Sequence, residues 1–90
     1  MARRISTVEN LLIHNFGDEA VILNMNNEKY YSLNGVGYRM WQVLTSTSTV
    51  EEALAELSHE YDVPEEVLRR DLDSFVQNLN SQLLINTHES

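Results

Sequence analysis

Ninety residues with 14 acidic against 6 basic side chains carry a net charge of -8, with no Cys and one Pro. A chain of this size is expected to form a single domain over 1–90, its core at about 8–86, with no room for separate catalytic and substrate halves; without Cys it has neither a disulfide framework nor a thiolate metal site, and a reducing, cytoplasmic setting is expected. The apolar run Ala20 to Leu23 is far too short to span a bilayer, and Met1-Ala2-Arg3-Arg4 leads into polar residues rather than an apolar signal core, so neither a membrane nor a targeting segment is expected.

The first third reads as short strands separated by turns. Leu11 to Phe16 is apolar enough for a strand and stops at Gly17-Asp18, residues that tolerate the dihedrals of a reversal. A second run from Ala20 to Met25 ends in Asn26-Asn27, a pair tolerant of the left-handed region, and Lys29-Tyr30-Tyr31-Ser32-Leu33 begins a third. A three-stranded antiparallel meander follows. Alternation places Tyr31 and Leu33 on one face of the third strand, and Tyr30 and Ser32 on the other, so that one side covers a core while the other meets water or a ligand.

From Asn34 onward the period becomes helical. Asn34 is the N-cap of a helix whose Val36, Met40, Val43 and Leu44 share a stripe, with Trp41 beside it. Thr45-Ser46-Thr47-Ser48 ends that helix. Thr49 and Glu52 form a capping box at the start of a second, which buries Val50, Ala53, Leu54, Leu57 and Tyr61 and keeps Glu51, Glu52, Glu56 and Glu60 wet. Pro64 fits the first turn of a third helix, where its missing N–H costs nothing and Glu65 and Glu66 meet the positive end of the dipole. That helix is expected to reach about Asn80, with Leu68, Leu72, Phe75, Val76 and Leu79 as its apolar stripe and Val67 and Asp71 on one margin. Leu72 and Leu79 are expected in the core, and the residues after Leu83-Leu84-Ile85 are expected to fray.

The charge is unevenly placed. Residues 1–50 hold four acids and four bases, whereas residues 51–90 hold ten acids against Arg69 and Arg70, which accounts for all of the -8. Such a surface repels nucleic-acid phosphate and anionic lipid, so neither is an expected partner. A winged-helix DNA-binding regulator is the structural rival, but its recognition helix would lead with Glu65 and Glu66.

Catalytic and metal motifs are missing in turn. His14, His59 and His88 are widely separated, and Val63 stands where a zinc-protease pattern starting at His59-Glu60 needs its second His. Asn24, Asn26 and Glu28 resemble the start of a calcium loop but lack its leading Asp and sixth-place Gly. Gly35-Val36-Gly37 lacks the third glycine of a dinucleotide fingerprint. No nucleophile elbow or Ser-His-Asp set is visible. The chain is therefore expected to be neither an enzyme nor the holder of a cofactor or metal. What remains is an unpaired strand edge at Lys29 to Leu33 beside a groove lined by Val67, Leu68, Asp71 and Phe75, onto which an extended peptide could add as a strand.

The ordered motifs Lys29-Tyr30-Tyr31-Ser32-Leu33-Asn34, Gly37, Trp41 to Leu44, Thr49-Val50-Glu51-Glu52, Tyr61-Asp62-Val63, and Asp71 with Phe75 and Leu79 resemble the PqqD-like family of peptide-binding domains over residues 8–86. The resemblance implies an α+β, winged helix-turn-helix fold: a three-stranded antiparallel sheet followed by three helices. It implies a recognition element for ribosomally synthesised, modified peptides, in which a precursor's leader peptide pairs with Lys29, Tyr30, Tyr31, Ser32 and Leu33 and sets its side chains against Leu68, Asp71, Leu72 and Phe75. Asp71 would accept a hydrogen bond or pair with a leader Lys or Arg. Partners so implied are the leader peptide and a leader peptidase or other modifying enzyme, as in lasso-peptide biosynthesis; the alternative is a peptide chaperone for a radical enzyme in quinone-cofactor biosynthesis. The family commonly has Gly before its final apolar pair, where this chain has Gln82 before Leu83 and Leu84, which leaves the geometry of the tail open, as it leaves the oligomeric state.

Overall fold

The computed structural model describes residues 3–89; the expected domain of 1–90 thus includes three residues, 1, 2 and 90, outside the described ones, and the expectation for Met1-Ala2 falls there too. The order of elements is β1 (Arg3–Thr7), β2 (Leu11–Phe16), β3 (Glu19–Asn24), β4 (Lys29–Leu33), α1 (Gly35–Ser46), α2 (Val50–Glu60), α3 (Glu65–Ser81) and β5 (Ile85–Glu89). Strands β2, β3 and β4 form an antiparallel sheet in that order, followed by the three helices, which is the α+β winged helix-turn-helix architecture expected.

Local chemistry sets most boundaries. Phe16 pairs with Glu19 across a two-residue turn in which Gly17 takes φ +69°, a conformation that glycine adopts without a Cβ clash. At the next hairpin the left-handed residue is Glu28, at φ +58°, and not the Asn26-Asn27 pair. There the asparagines act through their side chains: Asn24 Oδ1 accepts from the Asn26 N–H at 2.9 Å, and Asn27 Oδ1 from the Lys29 N–H at 3.0 Å. Asn34 caps α1 by accepting from the Gly37 N–H at 3.0 Å. Thr49 Oγ1 accepts from the Glu52 N–H at 3.1 Å, and the Glu52 carboxylate reaches back to the Ser48 N–H. Pro64 stands just outside α3, at its N-cap.

The core lies between the sheet and the helices. Ala20, Ile22 and Leu33 of the sheet, Met40, Trp41, Val43 and Leu44 of α1, Val50, Ala53, Leu54 and Leu57 of α2, and Leu68, Leu72, Val76 and Leu79 of α3 are all buried. Trp41 occupies the centre of the α1 stripe, whereas Val36, expected there, is 52% exposed. The fully buried residues of α1, Met40, Trp41, Val43 and Leu44, all lie in its later turns.

The chain ends depart most from expectation. The tail does not fray: Ile85–Glu89 forms β5, antiparallel to a first strand that was not expected, with Arg3 opposite Glu89 and Thr7 opposite Ile85. Ile85 is buried and Ile5 packs against the core. Arg3 holds this two-stranded unit to the helices, its guanidinium pairing with Glu51 Oε2 at 3.1 Å and Asp73 Oδ1 at 2.7 Å. Partial burial opposes ionisation of Glu51, but the backbone N–H and guanidinium of Arg3 outweigh it and hold the carboxyl below the usual carboxylate range. A lowered folded-state pKa contributes stability above the unfolded value and loses it as pH falls through the folded one. Because Glu51 is 41% exposed, solvent screening limits the contribution to less than about 1 kcal/mol. Glu51→Gln should therefore lower stability slightly at neutral pH and flatten the acid limb of a stability profile; an unchanged acid limb would remove this pair from the pH dependence.

Helix α3 closes in a Schellman motif. The Leu84 N–H bonds to the Leu79 carbonyl at 3.0 Å and the Leu83 N–H to that of Asn80 at 3.1 Å. The left-handed residue is Leu83, at φ +62°, one place after Gln82. A side chain in this region costs roughly 1 to 2 kcal/mol, and Leu83 is 64% exposed, so packing returns little. Leu83→Gly is expected to stabilise the protein by about 1 kcal/mol after the entropy cost of glycine; a lower urea midpoint would refute the strain.

Candidate functional site

Among the described residues, strand β4 has one sheet partner, β3, and its other edge is unpaired. Alternate residues of such an edge direct N–H and C=O groups outward, ready to pair with another strand. Lys29 is the one charged residue on β4, and the strand has no Pro or bulge to blunt it. The side-chain alternation is as expected: Leu33 is buried and Tyr31 half-buried towards the core, while Tyr30, 72% exposed, and Ser32 face away. Burial pushes the Tyr31 phenol above its ordinary pKa.

Two observations place α3 relative to the sheet. A Cβ built on Gly37 would stand 3.7 Å from both Leu33 Cδ2 and Phe75 Cε1, so the end of β4, the first turn of α1 and the middle of α3 converge there. At the other end Asn24, the register partner of Lys29, donates from Nδ2 to the Leu83 carbonyl at 3.3 Å. The middle of α3 thus lies near the Leu33 end of β4, and the turn that follows α3 lies against Asn24 of β3. The opposite flank of α3 is taken up by the Arg3–Asp73 ion pair and by β5, while Phe75 reaches the Leu33 end of β4.

The expected groove residues separate by depth. Asp71 is exposed at the rim, Val67 and Phe75 are half-buried, and Leu68 and Leu72, at 3% and 1% exposure, lie beneath as part of the core. The sequence reading ended at Phe75, but the same margin continues to the exposed Asn78, whose signal was its i, i+4, i+7 spacing from Asp71 and Phe75. Glu65 and Glu66 are exposed in the first turn, and Arg69 Nη2 is held by Glu65 at 3.2 Å, so the front of α3 is acidic. The outer sheet face was also legible in the alternation: Leu12, Phe16, Val21, Leu23 and Tyr30 surround a shallow concavity of about 670 Å³ that includes His14. Among the described residues no group of His, Asp and Glu is arranged to hold a metal ion, and no helix is long and apolar enough to cross a membrane.

The family model for coenzyme PQQ synthesis protein D (PqqD) matches residues 19–85. The chain belongs to the PqqD family. That match runs from the start of β3 through the three helices to the first residue of β5. Among solved structures, the chain is similar to TbiB1 in complex with the TbiA(beta) leader peptide, at 30% identity and a TM-score of 0.79, covering 88% of this chain and 93% of that one. It also shares the fold of lasso peptide synthetase B1 complexed with the leader peptide, at 18% identity and a TM-score of 0.82, covering 92% of this chain and 98% of that one. No curated protein matches. Members of the PqqD family are typically binding domains and not catalysts; this chain has an open β4 edge and an exposed acid, Asp71, on α3.

Proposed function

We propose that this PqqD-family protein binds the leader segment of a ribosomally made precursor peptide by strand addition to β4 and brings it to a leader peptidase or other modifying enzyme. The carrying observation is the unpaired edge Lys29–Leu33 facing the Asp71 and Phe75 margin of α3. Main-chain hydrogen bonds along β4 supply affinity independent of sequence, and alternate peptide side chains enter the groove above Leu33, Leu68 and Leu72. Val67 and Phe75 offer apolar contact, and Asp71 accepts a hydrogen bond or pairs with a basic side chain. The remaining side chains lie on the outer sheet face beside Tyr30 and Ser32. TbiB1 in complex with its leader peptide, at 30% identity, supports this reading; the lasso type, which the sequence resemblance suggests, is the pathway we favour. The family model supports a second one, presentation of a precursor to a radical enzyme in quinone-cofactor biosynthesis.

The role needs no catalytic group. Tethering a flexible substrate to an enzyme raises its effective concentration at the reacting site. DNA is disfavoured as the partner because the front of α3 presents Glu65 and Glu66 where phosphate contacts require cations. The test is a fluorescence-anisotropy titration with a labelled synthetic peptide spanning the N-terminal half of the short reading frame beside the gene. Saturable binding below about 10 μM, near 7 kcal/mol, is expected; no saturation at several hundred micromolar would sink the proposal.

A further inference from the structure

We infer that β2 is an interface with a second copy of this chain. Two β2 edges pair antiparallel about a two-fold axis and join the sheets in the order β4-β3-β2-β2-β3-β4, which leaves both β4 edges open. The inference is independent of the peptide reading, because it concerns the opposite edge of the sheet.

Strand β2 lies at an edge but has the composition of an interior strand. Its sequence, Leu-Leu-Ile-His-Asn-Phe, holds no Asp, Glu, Lys, Arg, Pro or Gly, and it pairs with β3 in unbroken register. None of the usual protections of a sheet edge, a charge, a proline or a bulge, is therefore present. An antiparallel strand with one face in water alternates apolar and polar side chains. Here apolar side chains are exposed on both faces: Leu12 and Phe16 on the outer one, and Ile13 on the inner one at 47%, although its register partner Ile22 is fully buried. The helices leave most of the strand uncovered, with five of its six residues exposed. Among the described residues β3 is its one sheet partner, and α1 reaches it through a hydrogen bond from Asn15 Nδ2 to the Tyr38 hydroxyl at 3.1 Å.

Charge and symmetry select the occupant. Residues 51–90 carry all of the -8, and the helices that hold most of those acids, α2 and α3, make their substantial contacts with each other, α1, β1 and β5, not with β2. Pairing through β2 joins two uncharged edges and keeps the two acidic halves apart. An edge without charge suits a surface equally uncharged, and β2 is itself such a surface. Opposite residues of an antiparallel pair share a face, so a two-fold axis normal to the sheet sets Leu12, His14 and Phe16 of one copy against the same three of the other, and Leu11, Ile13 and Asn15 likewise. Each apolar face is thereby continued across the junction. A strand of six residues and its flanks bury less than the roughly 1,200 to 2,000 Å² of a standard interface, so the dimer is a weak one.

The test is sedimentation equilibrium of the intact chain without peptide, from about 5 to about 500 μM, where a monomer–dimer equilibrium with a dissociation constant of about 10 to 100 μM is expected. Amide hydrogen exchange at the upper concentration should slow along Leu11–Phe16. Leu12→Lys and Ile13→Lys place a charge on either face of the edge, twice per dimer, and each is expected to weaken dimerisation at least tenfold. Both positions are exposed, so the fold, checked by circular dichroism, is retained. Val63→Lys adds the same charge at an exposed residue between α2 and α3 and should leave the equilibrium unchanged. A chain still monomeric at the upper concentration, assembly that grows past the dimer, or an undiminished dimer in both β2 variants would overturn the inference. So would concentration-dependent protection of Lys29–Leu33 in place of Leu11–Phe16. None of these outcomes bears on the peptide titration, and failure of that titration leaves the dimer standing.

Discussion

Asp71→Ala is expected to weaken leader-peptide binding by tenfold or more while leaving the urea midpoint of unfolding unchanged. Asp71 is exposed and makes no contribution to the core, so its removal costs the fold little. In the complex, the added peptide shields the carboxylate from water on one side, and hydrogen bonds to charged groups then contribute about 1.5 to 3 kcal/mol. Each 1.4 kcal/mol is a factor of ten in affinity, about. Asp71→Asn should fall between the two, because the amide retains an acceptor but not the charge. Fluorescence anisotropy against the labelled leader checks the first part and a urea titration the second; undiminished affinity would remove Asp71 from the site.

Leu72→Ala is expected to behave in the opposite way, costing about 2 to 5 kcal/mol of stability with nearly unchanged affinity of the molecules that remain folded. At 1% exposure the side chain is enclosed by the core, and its truncation leaves a cavity that the surrounding leucines cannot fill without moving. A domain of this size has a total stability of about 5 to 13 kcal/mol, so a large part of the population could unfold at 37 °C. Binding measured at low temperature, where circular dichroism shows a native fold, separates the two roles. An affinity within about twofold of the parent would place Leu72 beneath the groove and not in it; a tenfold loss in the folded variant would show that the peptide reaches down to it.

The contrast between these neighbours shows how far a helical wheel carries. Asp71 and Leu72 were both assigned to the groove, one from its place beside Val67 and Phe75, the other through the family resemblance. A wheel separates margin from stripe, and it correctly placed an acid on the edge of an apolar face. It does not say which of the two margins is left open. That depends on what occupies the other flank, and here the Arg3–Asp73 ion pair and β5 take it.

The sequence by itself determined the features that a few neighbouring residues can settle. Gly17 closes the first hairpin, Asn34 and Thr49 satisfy the open amides of α1 and α2, Pro64 marks the start of α3, and β4 was bounded at Lys29 and Leu33 by turn chemistry and alternation. It also placed the whole -8 in the helical half and so pointed away from nucleic acid. Only the tertiary structure decided that Trp41 is inside and Val36 outside, that Leu68 and Leu72 are buried in the core, and that the two chain ends pair as β1 and β5. Caps and turns are hydrogen bonds closed within a few residues. The pairing of Arg3 with Glu89 closes nearly the whole chain, and packing against an already formed core must offset that loss of entropy, a balance that no short stretch of sequence records.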